Sequence, residues 1–239
     1  MAEPDETGEA PDFHDVSPDG PLYRIGRRPD PWAFPDWANV GSDGTFGNRW
    51  DDPEGVYRVL YASSSRLGAL AEVLARFRPD PHILEALKEI EGNETQPPGE
   101  LGAAWLTRRC LGVARVDGQF VDVGHSASLA RLREALASRV LHHGLDDLDA
   151  ATIRLSAPRR YTQEVSRHVY GHSTPPGQRR YAGIAYRSRL GDELRNWAIF
   201  ESPGRTLPWI EALETGPIEP DDPDLVQALQ LLGVRLVES

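Results

Sequence analysis

The sequence predicts an α+β fold, in which mixed or antiparallel sheets are flanked by helices. Stretches with helical periodicity and stretches with strand alternation are interspersed along the 239 residues, without the regular strand–helix repeat of a parallel sheet. A hydrophobic fraction of 39% is sufficient for a core. The length admits one large domain or two small ones, and no internal repeat divides it.

The first sixty residues are predicted to form a tail, a strand, a long loop and a second strand. Residues 1–20 are acidic, rich in Pro and Gly and poor in apolar side chains, which is typical of disorder. A strand is expected over residues 21–27. The loop over residues 29–47 carries three prolines and three glycines, and a loop of this length is usually functional. Residues 56–62 are rich in Val, Leu and Tyr and predict the second strand.

Two helices are predicted after this strand. Three consecutive serines, residues 63–65, offer hydroxyl groups that can cap a helix N-terminus. Prolines at positions 79 and 81 interrupt the apolar pattern, and residues 81–90 are expected to form the second helix. The apolar residues with helical spacing in the first helix are Leu67, Leu70, Val73, Leu74 and Phe77.

The second half of the chain alternates strands and helices. Asp117-Gly118 is a two-residue turn signal, which predicts that residues 111–116 and 120–123 pair as a hairpin. The other predicted elements are helices over residues 126–140 and 161–170, a strand pair over residues 179–189 and 196–201, and a helix with a last strand within residues 221–239.

Charge is unevenly distributed along the chain. Residues 1–20 hold seven carboxylates and residues 211–224 hold six more, and neither stretch contains Lys or Arg. Without these thirteen charges the net charge of −11 becomes +2, so the body of the protein can hold an anionic ligand. Nonspecific nucleic-acid binding is not expected, because it requires a concentrated basic face.

Neither a membrane anchor nor an export signal is expected. No apolar run approaches about 20 residues. The first 19 residues lack the basic and apolar regions of a secretory signal. The single cysteine, Cys110, excludes an internal disulfide, so a reducing cytoplasm is the expected location.

Two arginines are candidates for binding an anionic ligand. Arg24 shares a strand face with Leu22, where an arginine more often makes an edge contact or a salt bridge. Arg49 follows the loop and is either a solvated residue or a ligand contact. A guanidinium group matches phosphate oxygens with parallel hydrogen bonds, so both residues suit a phosphate. The glycines at positions 41, 44 and 47 lack the spacing of a dinucleotide-binding fingerprint.

Glu72 is a candidate whose helical position leaves two interpretations open. At roughly 100° per residue, it lies about 130° from the centre of the apolar stripe of its helix. Periodicity alone favours a solvated glutamate. The same position also permits a glutamate that faces a cleft rather than the core.

Tyr61, Ser188 and two histidines complete the candidates. Tyr61 ends the second strand and is either a core aromatic residue or a ring that stacks on a ligand. Ser188 alternates with Tyr186 on a short strand, and no nucleophile elbow or catalytic triad accompanies it. His168 and His172 have the spacing of metal ligands on a helix, but the glutamate of the zinc-binding motif is missing, so no metal is expected.

These motifs resemble the RES domain family, which is named for an arginine, a glutamate and a serine. The resemblance covers residues 21–202. It divides the chain into a tail over residues 1–20, the RES domain, and a C-terminal extension over residues 203–239 that packs on the domain. The resemblance is carried by Arg24, the stretch 46–61, Glu72, the stretch 183–189 with Ser188, and the closing apolar strand 197–200.

The resemblance implies an ADP-ribosyltransferase-like fold and an enzyme that consumes NAD as its substrate, in many relatives as the toxin of a toxin–antitoxin pair. Arg24 and Arg49 would hold the pyrophosphate of NAD, and Tyr61 would contact the nicotinamide. Ser188 would contact the ribose or the amide, and Glu72 would stabilise positive charge on the ribose.

Two questions stay open within this resemblance. The acceptor of the ADP-ribosyl group is water, inorganic phosphate or a protein side chain. The competing interpretation is a non-catalytic module that keeps the fold and binds a helix-turn-helix antitoxin. This chain also departs from the usual pattern at two positions, with Asn48 in place of a common glycine and Asp51 in place of a common asparagine. A carboxylate at position 51 is expected to repel a pyrophosphate bound nearby.

Overall fold

The fold is built on one curled eight-stranded sheet flanked by helices, in a computed structural model that describes residues 13–79, 99–155, 158–172, 180–202 and 209–238. The strands are β1 (Asp15–Val16), β2 (Leu22–Arg27), β3 (Val59–Ser63), β4 (Glu100–Gly102), β5 (Arg109–Asp117), β6 (Phe120–Asp122), β7 (Gly183–Arg187), β8 (Arg195–Phe200), β9 (Trp209–Gly216) and β10 (Arg235–Val237). The helices are α1 (Arg66–Leu74), α2 (Ala104–Thr107), α3 (Ser126–His142), α4 (Ala150–Leu155), α5 (Arg159–Tyr170) and α6 (Pro223–Leu232).

The order of the strands confirms the predicted α+β class. The large sheet runs β1-β6-β7-β8-β3-β2-β5-β9, and β4 and β10 form a separate parallel pair. Strands β6 and β7 are parallel, whereas the other neighbours in the large sheet are antiparallel. Helices and strands therefore mix without a repeating parallel unit.

The hairpin predicted at Asp117-Gly118 is wrong. Strands β5 and β6 follow one another in the chain, but β7, β8, β3 and β2 lie between them in the sheet. Gly118 has a φ of +146° and a Cβ there would lie 2.4 Å from the Ala182 side chain, so the chain passes close to the segment before β7 instead of turning back on β5. A turn signal encodes a local change of direction, and long-range pairing decides which strands become neighbours.

Most other predicted elements are confirmed within the described residues. Helix α1 begins after Ser65, whose side chain accepts a hydrogen bond from the Gly68 amide. Helix α5 ends at Gly171, and β7 and β8 form the predicted antiparallel pair. The helix predicted over residues 81–90 lies outside the described residues. No described helix has the length and apolar character needed to cross a membrane.

The two ends of the fold differ from the prediction. Phe13 is 3% exposed and packs edge-on against His172 and Tyr181, and β1 pairs with β6. Residues 15–16 are therefore part of the sheet and Phe13 is part of the core, whereas residues 1–12 lie outside the described residues. Strand β9, which the sequence analysis missed, forms the other edge of the same sheet by pairing with β5.

Strand alternation separates two apolar clusters on opposite faces of the sheet. On β3, Val59 belongs to the cluster that also includes residues of α3 and α5. Leu60 belongs to a cluster with Trp32 and Trp197 on the other face. A third cluster joins α1 and α6 through residues such as Leu70 and Leu229. The cleft described next lies where α1 meets β3 and β8.

Candidate functional site

A cleft of about 630 Å³ brings together four of the five predicted site residues. Arg24, Arg49, Tyr61 and Glu72 line it, and Ser188 lies directly behind Glu72. Further residues of the cleft wall are Asn48, Ser63, Arg76, Arg159, Tyr186, Arg189 and Asn196.

Close packing of α1 on β3 places Glu72 in the cleft. A Cβ on Gly68 would lie 2.2 Å from the Ser63 hydroxyl, so the helix reaches this distance only with glycine at that position. Glu72 lies one helical turn after Gly68 on the same side of α1. The solvated position that periodicity favoured is therefore wrong, and the cleft position is the one that the structure shows.

The carboxylate of Glu72 is held by two side-chain donors. Its Oε1 atom accepts hydrogen bonds from Ser188 Oγ at 2.5 Å and from Asn196 Nδ2 at 2.8 Å. Both bonds found within the described part of the chain end on Oε1, which leaves Oε2 for a ligand. Two donors on one oxygen fix the orientation of the side chain.

The connection between β7 and β8 orients Ser188. The Ser188 amide donates to the Leu194 carbonyl at 2.9 Å, and the Ser188 hydroxyl accepts from the Leu190 amide at 2.9 Å. Its one hydroxyl proton is directed at Glu72. Ser188 is 1% exposed, so the structure directs this hydroxyl to Glu72 and not to the wall of the cleft.

The sequence analysis missed Asn196 as a site residue. It pairs in register with Ser63 on β3 and with Tyr186 on β7, which places three cleft-lining side chains next to each other on one face. A single asparagine before an apolar strand gives no local signal of such a position. The position of Asn196 in the cleft follows only from the pairing of β8 with β7 and with β3, which lies far away in the chain.

Arg24 is fixed by backbone carbonyls. Its Nε donates to the Pro31 carbonyl at 2.6 Å and its NH1 to the Tyr61 carbonyl at 2.7 Å. Gly112 lies opposite Arg24 on β5, and a Cβ there would lie 2.5 Å from the Trp32 ring nitrogen. Because Gly112 has no side chain, the loop after β2 can pack directly on the sheet at this position. Burial lowers the pKa of Arg24 to about 10, so the side chain remains charged at neutral pH.

Arg49 presents a buried donor without an acceptor. Its NH2 donates to the Arg154 carbonyl at 3.0 Å, and its guanidinium lies 5.3 Å from the Tyr186 ring centroid. Its NH1 is buried and has no hydrogen-bond partner among the described residues. Burial lowers the pKa of Arg49, and a buried charged donor of this kind is stabilised by an anionic acceptor.

Helix α5 holds the backbone on both sides of Arg49. Arg159, Gln163 and Ser166 lie on one side of this helix and each donates to a main-chain carbonyl of the loop over residues 47–50. The three distances are 2.7, 3.1 and 2.7 Å. An irregular loop thereby acquires a fixed backbone.

Asn48 and Asp51, the two positions at which the chain departs from the pattern of the similar family, are hydrogen-bonded to each other. Asp51 is 2% exposed and accepts from the Asn48 amide at 2.7 Å and from the Tyr61 hydroxyl at 3.0 Å. The Asn48 side chain also donates to this carboxylate. Asp51 thus lies inside the loop and does not line the cleft, contrary to the expected repulsion of a ligand. The Tyr61 hydroxyl also accepts from the Trp50 amide at 3.0 Å, so the Tyr61 ring is what this residue presents to the cleft.

The two histidines of this pair pack against an aromatic residue. The rings of His168 and His172 pack on Phe13 at 6.0 and 5.1 Å between centroids. Across the described ranges, no group of three or more His, Cys, Asp or Glu residues is arranged to hold a metal ion.

Comparison with known proteins identifies a family for most of the chain. The model of the RES domain matches residues 21–217, a range that begins just before β2 and includes all of β9. No curated protein sequence matches the chain. A chain in the crystal structure of the M. tuberculosis MbcT–MbcA toxin–antitoxin complex is similar, with 14% identity and a TM-score of 0.48 over 92% of this chain and 91% of that chain.

Proposed function

The chain belongs to the RES domain family, and on this basis we propose that it cleaves the bond between nicotinamide and ribose in NAD⁺. The observation that carries the proposal is the arrangement of the cleft. A carboxylate fixed through one of its oxygens lies in the same cleft as two partly buried arginines, one of which has a buried donor without a partner among the described residues.

The chemistry of the bond suits a carboxylate of this kind. Nicotinamide is a cationic substituent of the ribose and leaves as a neutral molecule, so the reaction needs little acid catalysis. Positive charge then develops on the ribose, as in the oxocarbenium-like transition state of glycoside hydrolysis. Glu72 stabilises that charge through Oε2, which is also an acceptor for a ribose hydroxyl. Ser188 and Asn196 act through Oε1 by preventing the side chain from rotating.

The arginines suit the remainder of the dinucleotide. Arg49 NH1 would donate to a pyrophosphate oxygen, and Arg24 adds a second positive charge to the same cleft. The rings of Tyr61 and Tyr186 offer the nicotinamide an apolar wall. Water, inorganic phosphate or a protein side chain then takes the ADP-ribosyl group.

We also propose that the protein is the toxin of a toxin–antitoxin pair, with a helix-turn-helix protein as its antitoxin. This proposal rests on the family resemblance. Expression of the chain without a partner is then expected to deplete cellular NAD and to arrest growth.

Incubation of the purified protein with NAD⁺ tests the proposed activity. We expect release of nicotinamide, and the second product names the acceptor: ADP-ribose for water, ADP-ribose 1″-phosphate for phosphate, or a modified protein. Folded protein that binds NAD⁺ without releasing nicotinamide, under all three acceptor conditions, would support the non-catalytic module instead.

A further inference from the structure

Asn196 carries a buried acceptor that points to a specific group on the ligand. Two cleft-lining residues have a buried polar side-chain atom without a partner among the described residues: Arg49, through the donor NH1, and Asn196, through the acceptor Oδ1. Asn196 is 1% exposed, and its Oδ1 has no hydrogen-bond donor among the described residues. A buried acceptor without a donor is unfavourable, and a ligand that brings an N–H or O–H group removes the penalty.

The orientation of the Asn196 amide follows from its neighbour. The two ends of an asparagine side chain are distinguished by their hydrogen bonds. Asn196 Nδ2 donates to Glu72 Oε1 at 2.8 Å, so the NH₂ end of the amide is the end that faces the carboxyl group. The oxygen is therefore the end that remains for a ligand.

We infer that Asn196 Oδ1 accepts a hydrogen bond from the carboxamide NH₂ of the bound nicotinamide and thereby selects a carboxamide-bearing dinucleotide. This inference rests on the proposed function. Asn196 is the direct cross-strand neighbour of Tyr186, whose ring belongs to the apolar wall assigned to the nicotinamide. Glu72, bonded to the other end of the amide, is assigned to the ribose. One side chain thus spans the junction between the base and the sugar.

This role predicts discrimination against a dinucleotide that has no donor at that position. In 3-acetylpyridine adenine dinucleotide a methyl ketone replaces the carboxamide, which keeps the carbonyl, the size and the charge and removes the N–H group. A site built to bond an N–H rejects an analogue that lacks it, because the buried acceptor stays unpaired. We expect the wild-type protein to prefer NAD⁺ in kcat/KM by roughly tenfold to hundredfold.

The test compares Asn196→Ala with Ser188→Ala on both dinucleotides. Each variant removes one of the two hydrogen bonds to Glu72 Oε1, so both are expected to lower kcat. Only Asn196→Ala also removes the acceptor for the carboxamide. We expect its preference for NAD⁺ to fall to near unity, while Ser188→Ala keeps the wild-type preference. If Asn196→Ala turns over too slowly, the ratio of the two dissociation constants, measured by calorimetry, replaces the kinetic ratio.

The outcomes separate this inference from the proposed function. A wild-type protein that cleaves both dinucleotides equally well, or an Asn196→Ala variant that keeps the full preference, overturns the role of Asn196 and leaves NAD⁺ cleavage standing. A wild-type protein that neither binds nor cleaves either dinucleotide overturns the proposed function, and the inference with it.

Discussion

The two walls of the cleft are built by different means. The strand–helix wall, formed by α1, β7 and β8, carries Glu72 and its partners Ser188 and Asn196 on regular elements or next to them. The loop wall, residues 46–51, carries Arg49 on irregular backbone held from behind by α5 and Asp51. The role proposed for Glu72, stabilising a transition state, requires accurate placement of its charge, which regular elements provide. The role proposed for Arg49, holding a flexible pyrophosphate, tolerates a loop, provided that the loop is anchored.

The largest expected effect comes from the strand–helix wall. Glu72→Gln keeps the size of the side chain and removes the charge that, in the proposed reaction, stabilises the positive charge developing on the ribose. We expect kcat for NAD⁺ cleavage to fall by about 100-fold or more, the scale of one lost preorganised electrostatic contact. The dissociation constant for NAD⁺ should change much less, as measured by calorimetry.

A matched control for this variant is Glu134→Gln. Glu134 lies on α3, has a side chain that is 74% exposed, and does not line the cleft. It should leave kcat unchanged. Equal and small effects of both substitutions would mean that Glu72 takes no part in the reaction, despite its position.

On the loop wall the effect should be on binding instead. Arg49→Ala removes the unpaired buried donor, and we expect the dissociation constant for NAD⁺ to rise by roughly tenfold to hundredfold, since hydrogen bonds to charged groups are the stronger ones. In the transition state the same contact is present, so kcat should fall far less than in Glu72→Gln.

Arg49→Lys sharpens this comparison. It keeps the charge but loses the planar fork that bonds the Arg154 carbonyl with one nitrogen and leaves another for the ligand. Binding should recover only in part. Full recovery would show that Arg49 contributes net charge alone, and unchanged binding in Arg49→Ala would remove it from the ligand site.

The smallest expected effect concerns the anchoring of the loop wall. Burial raises the pKa of the Asp51 carboxyl above its ordinary value of 3.8. A carboxyl group whose pKa is raised in the folded protein stabilises the folded state while it is protonated. This contribution to the free energy of unfolding is present below pH 3.8 and is lost as the pH rises through the folded-state pKa. Asp51→Asn cannot titrate and still offers an oxygen acceptor to the loop.

We therefore expect the free energy of unfolding of Asp51→Asn, relative to wild type, to increase over that pH range. Urea unfolding at a series of pH values measures it. Asp221→Asn, at an exposed position before α6, serves as the control. If the free energies of unfolding of wild type and Asp51→Asn change with pH in the same way, the raised pKa of Asp51 is contradicted. Asp51 would then contribute to stability only through its hydrogen bonds.

The strand–helix wall was partly predictable, because local rules govern its parts. The content of Val, Leu and Tyr predicted β3, and the serines predicted the start of α1 and therefore the helical position of Glu72. Periodicity alone left that residue on either the solvent side or the cleft side, and the partners that settle the choice lie 116 and 124 residues further along the chain. Asn196 was missed for the same reason.

The loop wall was predicted less well, because its structure depends on hydrogen bonds between side chains that sequence patterns do not reveal. Asp51 looked like a charge that would repel a ligand, and the bond between Asn48 and Asp51 turns that charge inward. The failed hairpin at Gly118 has a related cause. Local sequence determines a turn, whereas the position of β5 and β6 in the sheet depends on strands from both ends of the chain.

The wide separation of the strand partners has a consequence for synthesis. Strand β3 pairs with β8 from Val59↔Phe200 to Ser63↔Asn196, so it has no neighbour on that side until the residues of β8 have left the ribosome. Non-local pairing of this kind is slow to form and follows translation of the last participant. A nascent chain that stops before Ser188 has Glu72 but neither of its donors. The proposed NAD-consuming cleft therefore arises only after β8 has been synthesised, which confines the activity to chains that extend at least through Asn196.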